Sequence, residues 1–114
     1  MSYRLEKISN LIKHEVSLIF LHKLQDPALG IITVTNVKVS PDLKIAKIYL
    51  SILEREKRDT AMEKVTSLTG MIRSELASRI RMKFIPELKF FLDDTIDYVE
   101  KIEGLLKKIH ENDN

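Results

Sequence analysis

GMIRSELASRIRMKF, residues 70–84, decides how the rest of the chain is read. Ile72, Leu76 and Ile80 recur every four residues, the apolar stripe of a helix. The stretch opens on a glycine, which costs about 1 kcal/mol relative to alanine inside a helix, so a kink or break is expected at Gly70. At about 100° per residue, Arg73, Ala77 and Arg81 run beside the stripe, with Ser74 and Ser78 beyond them. Small side chains between two guanidiniums let a polyanion come close, and arginine donors match phosphate geometry. Glu75 and Arg79 fall elsewhere, in the favourable i, i+4 order of a surface pair, which sets Arg79 aside as a ligand. The same pattern also describes an ordinary solvated helix face.

Upstream of this stretch, Thr60 and Glu63 have the T-x-x-E spacing of a capping box, so a helix carrying Val65 and Leu68 is expected to start there. Downstream, after Ile85-Pro86, Leu88, Phe90 and Leu92 alternate as a strand. Residues 32–40, ITVTNVKVS, have the β-branched composition of a strand whose alternation slips near Asn36, where a bulge is expected. SPDL at 40–43 has turn chemistry, and KIAKIYLSIL at 44–53 puts Ala46, Ile48, Leu50 and Ile52 on one face against Lys47, Tyr49 and Ser51 on the other. Two strands joined by so short a turn predict an antiparallel hairpin. EREKRD at 54–59 is expected to be a solvated connector.

The chain begins with an amphipathic helix marked by Leu5, Ile8, Ile12, Val16 and Ile19, stopped by DPALG at 26–30. It ends with another, capped by Asp94-Thr95 and striped by Ile96, Val99, Ile102, Leu106 and Ile109. The order is α-β-β-α-α-β-α, an α+β domain with helices on one face of a sheet. The third strand must return through the helix pair to join the hairpin.

The 114 residues suit one core, and without cysteine there is no disulfide, thiolate metal site or thiol nucleophile. No apolar run approaches the ~18 residues of a membrane span, and MSYRLEKISNLIKHE mixes charge into its pattern unlike a signal peptide, so a cytoplasmic protein without membrane partners is expected. The net charge of +2 hides a polarity. Lys64 to Phe91 carries six bases against two acids, whereas Leu92 onward carries seven acids against three lysines. Such asymmetry suits an anion-binding region beside an acidic tail.

Catalytic readings find little. His14, His22 and His110 lack metal spacing, Asp93, Asp94 and Asp97 suit helix capping better than a cation loop, and no phosphate-loop, nucleophile-elbow or dinucleotide motif occurs. Neither an enzyme, a cofactor nor a metal is expected. Tyr49 is placed on the open face of the sheet and Phe90 on the apolar side, so no aromatic stacking platform is expected.

QDPALGIITVTNVKVSPDLKIAKIYLS (25–51) and TGMIRSELASRIRMKFIPELKFFLDD (69–94) together resemble the ribosome-binding factor A family of bacterial small-subunit maturation proteins. The resemblance implies a KH-like type II domain over residues 1–94, with 95–114 an extra C-terminal helix and tail packed on it or extending from it. Packing on the domain is the favoured arrangement. It implies a kink marked by Ala-x-Gly in place of the GxxG loop with which KH domains clamp a nucleic-acid backbone. Here those positions read Leu68-Thr69-Gly70, with Leu68 where alanine is expected. It also implies a monomeric, non-enzymatic factor that binds 16S rRNA in free or immature 30S subunits. That factor assists late maturation and rRNA processing, alongside other assembly factors, and supports growth in the cold. The RNA-binding residues would be Gly70, Arg73, Ser74, Ala77, Arg81 and Lys83, with Arg73, Arg81 and Lys83 on phosphates. Two alternatives stay open: a generic KH-like RNA binder, or a protein-interaction module that uses no RNA.

Overall fold

A hairpin frames the molecule: β1 (Ile32–Val39) and β2 (Ile45–Ile52) pair antiparallel. This computed structural model describes residues 3–112, the side chains of 96–100 and 110–112 excepted. Ala46, Ile48, Leu50 and Ile52 are fully buried, as the alternation requires, which leaves Lys47, Tyr49 and Ser51 on the open face. The turn is held by its own polar side chains. Ser40 Oγ donates to Asp42 Oδ1 at 2.6 Å, and Asp42 Oδ1 also accepts from the Lys44 N–H at 3.1 Å. Those bonds, Ser40 first, hold the Asp42 carboxyl below its ordinary acidity range. Leu43 closes the turn in the left-handed region, with φ of 62°.

The register steps between Val34 and Asn36, so the bulge lies where the alternation slips. Asn36 Oδ1 there accepts from the Val37 N–H at 2.9 Å.

β3 (Glu87–Leu92) lies parallel to β2, giving the strand order β1-β2-β3. A parallel neighbour needs a crossover, and the chain supplies α2 (Arg58–Ser67) and α3 (Thr69–Arg79). With α1 (Tyr3–Lys23) they cover one face of the sheet. Ile12, Val16 and Ile19 of α1 meet Ile48 and Leu50 of β2 and Val65, Ile72 and Leu76 of the crossover in one core without solvent exposure. The α-β-β-α-α-β order with a further C-terminal helix, α4 (Thr95–Asn112), is the expected KH-like α+β fold.

Two local expectations need correction. α2 starts at Arg58, not at Thr60, and its N-cap, Lys57, makes no side-chain cap bond. The connector before it is already ordered as a 3-10 turn, Arg55–Lys57. Lys57 Nζ donates to the Pro27 carbonyl at 2.8 Å and pairs with Glu54 at 2.9 Å, so the chain enters the helix early. Second, the break between α2 and α3 is Leu68, with φ −98° and ψ 8°, two residues before Gly70. Leu68 packs against the core, and the Thr69 hydroxyl donates to the Thr66 carbonyl at 2.8 Å. Ahead of α4, the Thr95 N–H donates to Asp93 Oδ1 at 3.0 Å.

The described side chains of α4, residues 101–109, are all exposed, Ile102 at 40%, Leu106 at 52% and Ile109 at 56%. Ile96 and Val99 of its stripe, and His110, lie outside the described side chains. No helix among the described residues is long and apolar enough to cross a membrane.

Candidate nucleic-acid interface

α3 ends at Arg79 because Ile80 turns extended, with φ −118° and ψ 134°, and buries its side chain. Arg81 is therefore presented, with Lys83, by the loop to β3 and not by the helical phase expected of it. The outcome still gathers cations. A cleft of about 710 Å³ opens between the start of α1, the hairpin turn and this loop. Arg73, Arg81 and Lys83 line it, joined by Arg4 and Lys44, with Asp42 and Glu87 the acids on its wall. Asp42 is already engaged by Ser40 and Lys44. Five cations around one concavity focus a positive potential.

Arg73 has a structural task. Its Nη2 donates to the Ile85 carbonyl at 2.7 Å and its Nε to the Pro86 carbonyl at 3.1 Å. The arginine expected to meet phosphate thus shapes the cleft by holding its loop. Phe84 stands 75% exposed at the rim, with Lys83 Nζ 5.7 Å above its ring.

Gly70, Ser74 and Ala77 lie exposed on α3 and do not line the cleft. Gly70 is helical in backbone, and a Cβ built there meets nothing within 4 Å. Its lack of a side chain answers no need within the chain, and it leaves the backbone open to close approach. Arg79 pairs with Glu75 and with Glu15, both at 3.7 Å, consistent with its removal from the ligand candidates.

Sequence reasoning missed Arg4 and Lys44, which reach the cleft from far along the chain. No local signal marks them, since only the sheet topology brings the hairpin turn beside the start of β3. A second groove, of about 830 Å³, lies by the C-terminal end of α1. Its lysine, Lys57, is already bonded to Glu54 and Pro27, which leaves this groove mainly apolar. Among the described residues no group of three or more His, Cys, Asp or Glu side chains could share a metal ion.

The sequence model of ribosome-binding factor A matches residues 4–106. The chain is 44% identical over 106 residues to a ribosome-binding factor A of Thermodesulfovibrio yellowstonii, covering 93% of this chain and 90% of that one. It is 40% identical over 111 residues to the Staphylococcus epidermidis protein of the same name, covering 96% of each. The fold resembles the crystal structure of Thermus thermophilus ribosome-binding factor A, with TM-score 0.69, 24% identity, 79% of this chain and 97% of that one. It also resembles T. thermophilus coordinates fitted into a cryo-electron microscopy map of a complex between the 30S subunit and that factor, with TM-score 0.63, 22% identity, 83% of this chain and 97% of that one.

Proposed function

Because the chain belongs to the ribosome-binding factor A family, we propose that it binds free, immature small ribosomal subunits and assists their late maturation, with the cationic cleft on 16S rRNA. The observation that carries the reading is the convergence of Arg4, Lys44, Arg81 and Lys83 on one cleft whose loop is fixed by Arg73. Cations gathered on one concave wall suit a folded RNA backbone, whose phosphates dominate affinity. The exposed Gly70, Ser74 and Ala77 extend the contact along α3, where the absence of bulk lets the backbone strand lie close. On this reading the protein works by binding in the cytoplasm, without a cofactor, and supports maturation most when cold slows RNA rearrangement.

The test is sedimentation of the purified protein with small subunits, large subunits and joined ribosomes across a salt series. Migration with free small subunits alone, falling steeply with salt, is expected. Co-migration indifferent to salt would instead favour a protein-interaction module, and migration with no ribosomal particle would sink the reading.

A further inference from the structure

The open face of the sheet carries a second basic surface that belongs to neither groove. Lys38, Lys47 and Lys89 are register partners on the three strands, so three ammonium groups stand side by side in one row. All three are exposed, and among the described residues no carboxylate forms an ion pair with any of them. Like charges directly opposite one another on a sheet are destabilising. The fold keeps this row nonetheless, next to a row of a different kind.

In that neighbouring row Tyr49 of β2 faces Phe91 of β3, their rings stacked with centroids 5.6 Å apart. Lys38 Nζ sits 5.8 Å from the Tyr49 centroid, which fixes its side chain on the open face. Phe91 is 40% exposed, a large apolar ring presented to water among cations. The sequence reading had not brought these two rings together. Of two adjacent phenylalanines, Phe90 turns inward onto Phe20 and Phe91 turns outward. The acids nearest on β3 and after it do not neutralise the row. Glu87 lies at the cleft edge, and Asp93 is held by Thr35 and Thr95.

We infer that this open face is a second RNA-contact surface, on which an unpaired base stacks on the Phe91–Tyr49 pair while Lys38, Lys47 and Lys89 take the flanking phosphates. An aromatic ring among cations is the arrangement that holds single-stranded nucleic acid without reading its sequence. A partner protein would favour an apolar patch with opposed charges, and no acid stands in this row to offer them. The two surfaces adjoin, since Glu87 of the cleft wall opens the strand that carries Lys89, and Lys44, also on that wall, immediately precedes β2. The inference rests on the RNA-binding reading above and adds the side of the molecule that reading leaves uncovered.

Ultraviolet crosslinking of the full chain on free small subunits, followed by mass spectrometry of its peptides, tests it. A ribonucleotide adduct on Phe91 or Tyr49 is expected. Phe91→Leu should weaken subunit binding about tenfold without changing the salt slope, because stacking displaces no counterion. Lys47→Glu with Lys89→Glu should instead flatten that slope by about two. Adducts confined to residues 80–86, with Phe91→Leu binding like the parent, would overturn the sheet surface and leave the cleft reading standing. An adduct of Phe91 to a ribosomal protein would also overturn it, in favour of a protein contact. Failure of every variant and the parent to bind subunits would remove both readings together.

Discussion

Arg73 of α3 donates to the carbonyls of Ile85 and Pro86, at 2.7 and 3.1 Å, and so ties the crossover helix to the first residues before β3. One side chain thereby fixes the loop that carries Arg81 and Lys83. Arg73→Ala should lower stability by about 1–2 kcal/mol, the loss of two charge-assisted bonds partly open to solvent. Urea unfolding followed by circular dichroism would read it. An unchanged midpoint would show that the loop needs no such tie.

Arg81 and Lys83 make no comparable bond to the fold. Arg81→Glu with Lys83→Glu should keep the parent's unfolding midpoint within about 0.5 kcal/mol, as surface changes do. The same variant should weaken subunit binding and cut the salt slope by about two. A folded variant that sediments with small subunits like the parent would remove both residues from the interface.

Two glycines should respond in opposite directions. Gly70 is helical with open space around it, so Gly70→Ala should raise stability by up to about 1 kcal/mol. Gly30 has φ of 70° and ψ of −163°, a region nearly reserved for glycine, and its Cβ would come 3.3 Å from Lys57 Cδ. Gly30→Ala should therefore cost about 1–3 kcal/mol. Thermal melts of the two variants side by side decide the matter, and a stabilised Gly30→Ala would contradict the backbone argument.

Acid should expose the bond that spans the sheet. Thr35 Oγ1, displaced by the bulge, donates to Asp93 Oδ2 at 2.6 Å, and Asp93 also accepts from Thr95. The Thr35 hydroxyl first, and Thr95 after it, hold the Asp93 carboxyl below its usual 3.8. A carboxyl with a depressed folded value stabilises the fold above its unfolded value and loses that contribution as pH falls through the folded one. Thr35→Val should thus flatten the decline in stability below about pH 4 while lowering stability at neutral pH. Parallel slopes for the two proteins across that range would show that Asp93 draws nothing from Thr35.

What the sequence disclosed follows from what is local. The α1 stripe, the alternation of β2 and the bulge at Asn36 are each written in neighbouring residues, and each is found where expected. The helix ends were less legible, because tertiary bonds moved them. Lys57 reaching Pro27 starts α2 early, and the buried, extended Ile80 stops α3 before Arg81. For the candidate interface, the basic stretch named Arg73, Arg81 and Lys83, which line one cleft, but not the bonds by which Arg73 holds its loop. Arg4 and Lys44 arrive through topology alone. The alternation that turns Phe90 inward already turns Phe91 outward, but its meeting with Tyr49 depends on the parallel register of β3 on β2, which no local pattern shows.

The parallel seating of β3 on β2 also imposes a timetable on folding. Ile45 must wait for Glu87, its register partner, until the whole crossover has been synthesised. Until then one edge of the middle strand stands bare, a template for any foreign strand. Closing so long a loop is slow by nature. A nascent chain stopped before residue 87 therefore has its hairpin and helices but a sticky edge, and it should aggregate where the finished chain stays dissolved.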